Sequence, residues 1–179
     1  VPHYPKPLFI SDAAINIAPD LQTKADIVQN AIELAVALGV ETPKVAIVSA
    51  VETVTPSIPS TLDAAALCKM AERGQITGGL VDGPLAMDNA VSADAARIKG
   101  IESDVAGYAD VLAVPTIENG NMLVKALTFI AGADAAGIIM GAKVPVMLTS
   151  RADSPLARKM SCALAVLVAH FQRTGKSLL

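Results

Sequence analysis

One short stretch of the chain combines an arginine, several hydroxyl groups and a helix-start pattern. Ser150 and Arg151 follow an apolar run at 144–148, which predicts a buried strand. Ser154 and Pro155 then favour the start of a long helix. Anions bind where strand carboxyl ends face helix amino ends, and an arginine adds a planar donor fork for phosphate or carboxylate. This stretch therefore predicts a site for an anionic substrate.

A second candidate site lies around a glycine between two asparagines. Asn119, Gly120 and Asn121 come just before or at the start of a helix predicted over 121–130, where backbone N–H groups can face an anion. Lys125 lies one turn after Asn121 on the same face. A glycine loop and a solvated lysine are also common without a ligand, so the spacing alone leaves both interpretations open.

Acidic groups also follow two of the predicted strands. Asp82 and Pro84 come after a strand predicted over 76–81, where a turn with a side-chain hydrogen bond explains them about as well as a substrate contact does. Asp12 and Asn16 follow the first predicted strand, and a turn is the favoured interpretation there.

Strands separated by segments of helix length must position these residues. Such alternation predicts an α/β fold with a layered, mostly parallel sheet and flanking helices. The last two strand candidates, separated by Gly141-Ala142-Lys143, could instead form a hairpin or lie in different parts of the sheet. The predicted strands cover 8–11, 45–48, 76–81, 111–114, 136–140 and 144–148, and the predicted helices cover 21–38, 61–73, 121–130 and 155–172.

Composition excludes several classes of function. A net charge of −3, with scattered lysines and arginines, argues against a nucleic-acid partner. The longest apolar segment, 160–171, is too short to span a membrane, so we expect no membrane partner. His3 and His170 lack partners at metal-ligand spacing, and we expect no metal site. Cys68 and Cys162 lie in aliphatic stretches typical of free thiols, which indicates a reducing cytoplasm.

Four segments, in the same order along the chain, resemble the phosphate acetyltransferase and phosphate butyryltransferase family. The resemblance implies a short acyl group transferred reversibly between coenzyme A and inorganic phosphate, with two subdomains like those of isocitrate and isopropylmalate dehydrogenases. The segments are Ser-Asp-Ala-Ala-Ile-Asn-Ile-Ala-Pro at 11–19, Asp-Gly-Pro-Leu-Ala-Met-Asp at 82–88, Pro-Thr-Ile-Glu-Asn-Gly-Asn at 115–121 with Lys125, and Leu-Thr-Ser-Arg-Ala-Asp-Ser at 148–154.

The resemblance assigns catalytic roles to the last segment. It implies that Arg151 contacts the transferred phosphate and that Ser150 hydrogen-bonds near the reacting carbonyl or thiol. The family's acetyltransferases carry an aspartate seven residues after this serine, where this chain has Ala157. Asp153 is therefore the candidate general base. The resemblance places Asp82, Pro84, Asn119–Asn121 and Lys125 in the substrate cleft.

The resemblance also sets expectations for partners and for the extent of the domain. We expect acyl-CoA, CoA and phosphate as substrates, no resident cofactor and a homo-oligomer. Residues 1–179 should form one α/β region that lacks an N-terminal subdomain, and 144–179 could pack against that missing part. Two alternatives stay open: a non-catalytic CoA-binding or oligomerisation module, and a metal-dependent dehydrogenase of related fold.

Overall fold

The computed structural model describes residues 1–179, which form six helices and six strands. The strands are β1 Phe9–Ser11, β2 Lys44–Val48, β3 Leu80–Leu85, β4 Val111–Ala113, β5 Ile138–Ile139 and β6 Val146–Met147. The helices are α1 Leu21–Ala37, α2 Pro59–Glu72, α3 Met87–Val91, α4 Ala93–Ile98, α5 Ile117–Phe129 and α6 Pro155–Thr174. None of the helices is long and apolar enough to cross a membrane.

The main sheet contains four parallel strands in the order β1-β4-β2-β3. The two central strands are in register at Val45 and Val111, and both of these side chains are fully buried. Parallel strands need cover on both faces, which is why β2 and β4 consist almost entirely of aliphatic residues. The predicted α/β fold, with a parallel sheet and flanking helices, is confirmed.

Two apolar clusters cover the two faces of this sheet. On one face, Val28 and Ile32 of α1 and Leu67 of α2 pack against the strands. On the other face, Ala90 of α3 and Ala96 of α4 pack against the strands, with Leu123 of α5 at the margin of the cluster. The chain therefore leaves β1 and β2 toward one face, and leaves β3 and β4 toward the other.

Three predicted helices have the expected ends. The Asp20 carboxylate accepts the Thr23 N–H at 2.8 Å, which caps α1. The Ser154 hydroxyl accepts the Ala157 N–H at 3.1 Å, which caps α6. Beyond α2, Gly74 has a φ of 74°, a conformation that glycine adopts without a Cβ clash. The helix predicted from 61 begins two residues earlier, at Pro59, with Ile58 as its N-cap.

Two predicted boundaries near candidate site residues are wrong. The strand predicted over 76–81 begins at Leu80 and continues to Leu85, so Asp82 and Pro84 lie inside β3 and do not follow it. Ile76 is 3% exposed but belongs to the preceding loop. An apolar residue that is buried in a loop has the same sequence pattern as a strand residue. The helix predicted from 121 begins four residues earlier, at Ile117.

The segment at 144–148 departs most from its prediction as a buried strand. Only Val146 and Met147 form β6, which pairs antiparallel with β5 outside the main sheet. Their side chains are 40% and 50% exposed. Within this chain, the apolar run therefore does not form a core strand. The alternative that the last two strands form a hairpin is confirmed.

Leu112→Ala should lower the free energy of unfolding by about 2–5 kcal/mol, because it opens a cavity in the middle of β4. Leu112 is fully buried, whereas Leu62 on α2 is 43% exposed. The same substitution at Leu62 is the matched control and should cost less than about 1 kcal/mol. Urea unfolding of both variants measures the difference. Equal costs would contradict the assignment of β4 to the centre of the core.

Candidate functional site

The carboxyl ends of the four parallel strands meet at one edge of the main sheet. Asp12 follows β1 and Ser49 follows β2 at this edge. The first turns of α1, α2, α3 and α5 lie at the same edge, since each of these helices follows a strand of the sheet. Open parallel sheets bind ligands at such edges. This edge is therefore a candidate ligand site.

Asp12 organises the loop between β1 and α1. Its carboxylate accepts hydrogen bonds from the N–H groups of Ala14, Ile15 and Asn16 at 2.8–3.0 Å, and from Asn16 Nδ2 at 2.7 Å. Partial burial acts to raise the pKa of Asp12, but these four hydrogen bonds outweigh it and hold the pKa below its usual value. The interpretation of Asp12 and Asn16 as a turn is confirmed.

Gly120 lets this loop contact the first turn of α5. A Cβ at position 120 would lie 2.6 Å from the carbonyl oxygen of Asp12 and 2.9 Å from Ala13 Cα. The first turn of α5 thus packs directly on the backbone of the Asp12 loop. Asn121 Nδ2 also donates to the Ala13 carbonyl at 3.3 Å. The structure therefore brings Gly120 and Asn121 together with the Asp12 loop. Any side chain larger than hydrogen at position 120 would prevent this contact.

The other candidates on α5 are solvent-exposed. Asn119 accepts a hydrogen bond from the Thr116 hydroxyl at 2.7 Å. Lys125 lies one turn beyond Asn121 and forms no ion pair in the structure. Its ammonium group is therefore free to meet an anion. The predicted placement of Lys125 on the Asn121 face agrees with the helix.

Asp82 and Pro84 lie on an edge strand. The Asp82 carboxylate accepts the Gly83 N–H at 2.8 Å, so this hydrogen bond is local. No hydrogen bond links it to the Asp12 loop or to α5. Asp82 and Pro84 therefore lie in the main sheet, and Asp82 forms no hydrogen bond to the other candidate residues.

Ser150, Arg151 and Asp153 form a turn before α6. The Asp153 carboxylate accepts the Ser150 N–H at 2.6 Å, and the Ser150 hydroxyl accepts the Ala152 N–H at 3.3 Å. The Arg151 carbonyl accepts a hydrogen bond from the Arg158 guanidinium at 3.2 Å. The Arg151 guanidinium is exposed and forms no ion pair. A helix does follow this turn, as predicted.

This turn does not lie at the edge of the main sheet. The turn follows β6, which belongs to the separate hairpin. No hydrogen bond or ion pair joins 150–153 to the Asp12 loop or to the start of α5. The structure therefore contains two groups of candidate residues, one at the sheet edge and one at the start of α6.

Sequence reasoning missed a crevice between α1 and α2 at the sheet edge. Lys24 Nζ lies 2.6 Å from the Asp63 carboxylate, and the Ser49 and Ser60 hydroxyls share a hydrogen bond of 2.8 Å. A small cavity of about 10 Å³ lies among these groups and aliphatic side chains of the core. Lys24 and Asp63 each fall in the first turns of a helix after a strand, and that position was the available signal.

A second missed cluster connects the loop after β2 to α3 and α4. Asn89 is fully buried and donates from Nδ2 to Glu52 at 2.7 Å, while its Oδ1 has no partner. Lys99 binds Glu52 and also lies 2.9 Å from the Asp88 carboxylate. The hydrogen bond from Lys99 holds the pKa of Glu52 and of Asp88 below their usual values. This network fixes the loop that borders the crevice.

Comparison with known proteins identifies the family. Residues 5–166 match the family described as phosphate acetyl/butaryl transferase. The chain belongs to this family. This phosphate acyltransferase-family chain contains no group of three or more histidine, cysteine or acidic side chains that could hold a metal ion.

Individual relatives carry acyltransferase names. The chain is 64% identical over 176 residues to a phosphate acetyltransferase of Rhizobium meliloti, covering 98% of the chain and 56% of the relative. It is 52% identical over 162 residues to a phosphate butyryltransferase of Clostridium acetobutylicum, covering 90% of the chain and 54% of the relative. The chain thus spans little more than half the length of these relatives.

A solved structure has the same fold. A branched-chain phosphotransacylase from Enterococcus faecalis superposes with a TM-score of 0.81 at 40% identity. The match covers 90% of this chain and 58% of that protein. The described α/β arrangement is therefore the one found in a phosphotransacylase.

Asp12→Ala should destabilise this family member at neutral pH by about 1–2 kcal/mol, because the loop N–H groups lose a charged acceptor. Since the pKa of Asp12 is lowered on folding, its contribution is fully present above the ordinary carboxyl pKa of about 4 and is lost as the pH falls through the lowered value. Urea unfolding of parent and variant from pH 7 down to pH 3 should show the difference shrinking with acid.

The exposed Asp134 forms no hydrogen bond or ion pair through its side chain, so Asp134→Ala is the matched control. It should leave the unfolding free energy nearly unchanged at neutral pH. A loss for Asp12→Ala that stays constant down to pH 3 would contradict the role given to the carboxylate charge.

Proposed function

We propose that the full-length protein containing this chain is an acyltransferase that moves a short acyl group reversibly between coenzyme A and inorganic phosphate. The observation that carries the proposal is the 64% identity to a phosphate acetyltransferase over 98% of the chain. The butyryltransferase relative supports the same reaction with a longer acyl group. Both names describe the same chemistry on different acyl chains.

The proposed reaction matches the groups that the chain offers. A CoA thiolate attacks the acyl carbon of an acyl phosphate, a C–S bond forms, and the C–O bond to phosphate breaks. The thiol proton goes to a base, and negative charge collects on the carbonyl oxygen and the departing phosphate. Positive side chains and N–H donors stabilise such charge. Direct transfer between two aligned substrates needs no resident cofactor, and we propose none.

We propose that the turn before α6 contacts the reacting groups. Arg151 has an exposed, unpaired guanidinium, which suits a phosphate group in two parallel hydrogen bonds. Ser150 precedes Arg151 in the same turn, and its hydroxyl would donate to the carbonyl or the thiol. Asp153 holds the turn through the Ser150 N–H. Its carboxylate is the acid group nearest to Ser150 in sequence, and it is our proposed general base.

The sheet edge supplies the proposed binding contacts. Lys125 and the exposed polar groups of the first turn of α5, Asn119 and Asn121, would meet phosphate groups of CoA or of the acyl phosphate. Gly120 supports these contacts by fixing α5 against the Asp12 loop. Asp82 and Pro84 would line the margin of the same cleft.

The two alternative functions are not favoured. A non-catalytic module or a dehydrogenase would have to share this degree of similarity with relatives that are named as phosphate acyltransferases. The acyltransferase proposal accounts for the family, the fold and the anion-binding groups together. The two free cysteines, Cys68 and Cys162, agree with a cytoplasmic location.

We further propose that residues 144–179 pack against a part of the full-length protein outside this chain. Large apolar side chains of the hairpin and α6 are exposed, a pattern that marks interaction surfaces. We propose two subdomains arranged as in isocitrate and isopropylmalate dehydrogenases, and assembly into a homo-oligomer. The exposed side chains include Val144, Met147, Leu156, Met160 and Val166.

Arg151→Ala in the full-length protein should lower kcat/KM for acyl transfer by about a hundredfold, because one charge contact to phosphate is lost. Arg151→Lys should restore only part of the activity, since a point charge lacks the planar fork. Arg97→Ala is the control, because Arg97 is exposed on α4 and pairs only with Asp94. Unchanged turnover in Arg151→Ala would remove Arg151 from the reaction.

The 179-residue chain alone should fold but transfer acyl groups far more slowly than the full-length protein. The physical reason is charge, because CoA and phosphate carry several negative charges while this chain has a net charge of −3. Circular dichroism during urea unfolding checks the fold, and phosphate-dependent formation of acyl phosphate checks activity at equal concentrations. Full activity of the isolated chain would show that its own residues complete the site.

A further inference from the structure

A side chain from α6 reaches back across the turn that precedes this helix. Arg158 lies at the start of α6, and its Nη2 donates to the carbonyl oxygen of Arg151 at 3.2 Å. This hydrogen bond joins residues seven positions apart, so it closes the turn between Arg151 and the helix. A charged donor forms a stronger hydrogen bond than a neutral one. The Arg158 guanidinium therefore holds the main chain at Arg151, the residue that we propose contacts phosphate.

The other hydrogen bonds of this turn do not replace the contact from Arg158. The Asp153 carboxylate accepts the Ser150 N–H at 2.6 Å, and the Asp153 N–H donates to the Ser150 carbonyl at 3.1 Å. These two bonds connect the residues on either side of Arg151. The Arg151 carbonyl itself is bonded by Arg158 alone. The direction in which residue 151 projects its side chain therefore depends in part on Arg158.

The charge of Arg158 does not stabilise the start of α6. Cations are unfavourable near the amino end of a helix, where the dipole is positive, and the first turn of α6 contains no acidic residue that could offset them. Arg151 and Arg158 are both exposed, and neither forms an ion pair. An anion bound at the turn would relieve the repulsion between them. The contact between Arg158 and the Arg151 carbonyl thus suits a turn that binds an anion.

We propose that Arg158 is a positioning residue for Arg151. It holds the main chain of the turn so that the Arg151 guanidinium meets the phosphate group in two parallel hydrogen bonds. This inference rests on the proposed acyltransferase function. Arg158 acts through Arg151 and does not contact the reacting atoms. Because a contact with two hydrogen bonds tolerates little misplacement, an Arg151 that is held less firmly binds phosphate more weakly.

The test is a double-mutant cycle in the full-length protein, with the acyl-CoA that the parent uses better, acetyl-CoA or butyryl-CoA, at saturation. Arg158→Ala should lower kcat/KM for phosphate about tenfold, as expected for one charge-assisted hydrogen bond, mainly by raising KM for phosphate. KM for the acyl-CoA should stay that of the parent. In an Arg151→Ala background, Arg158→Ala should change kcat/KM less than about twofold, because no guanidinium remains to be positioned.

Arg158→Lys separates a positioning role from a general effect of charge. It keeps the charge but lacks the planar fork, so it should recover only part of the loss. Urea unfolding of each variant checks that the fold is intact. If Arg158→Ala does not fold, Arg158→Lys takes its place in the cycle, with a smaller factor expected in the parent and none in the Arg151→Ala background.

Lys159→Ala is the matched control, because Lys159 is an exposed cation at the next position of α6 and forms no ion pair. It should leave KM for phosphate unchanged. An active parent in which Arg158→Ala has no effect, or has equal effects with and without Arg151, overturns the positioning role alone. Full activity of Arg151→Ala would overturn both this role and that of Arg151. A parent inactive with both acyl-CoA substrates overturns the acyltransferase function itself.

Discussion

Burial of the central strands on both faces is the constraint on which the rest of this structure depends. Val45 and Val111 are fully enclosed between two layers of helices, and the alternate residues Ala46 and Leu112 are enclosed from the other side. Such strands cannot carry polar side chains along their length. Polar groups can therefore appear only where the strands end. The candidate groups around Asp12 and Ser49 accordingly lie where β1 and β2 end.

Much of the architecture could be predicted from the sequence, because its local signals are strong. Asp20 and Ser154 are short polar residues before apolar periodic segments, and both cap helices. Apolar runs did not predict strand position or burial correctly where contacts with distant parts of the chain decide them. Ile76 is buried within a loop, while Val146 and Met147 form an exposed hairpin strand. Hydrophobicity alone does not say which surface covers a side chain.

The candidate site could be predicted only in part, because spacing along the chain does not reveal contacts across it. The sequence suggested a glycine loop at Gly120. The structure shows that position 120 requires glycine because the backbone of the Asp12 loop packs against α5 there. Lys24 and Asp63 gave no motif, since their pairing joins two helices that meet only in the folded sheet. The short helices α3 and α4 were missed for lack of a periodic pattern at five or six residues.

Strand β3 lies at an open edge of the main sheet, and Pro84 interrupts it there. Its pairing with β2 shifts register between Ala46 and Val48, which is the irregularity expected near a residue without an N–H group. A neighbouring molecule that tried to extend the sheet would find a broken ladder of donors. Pro84, which we propose lines the margin of the cleft, therefore also disfavours pairing of this edge strand with a neighbouring molecule.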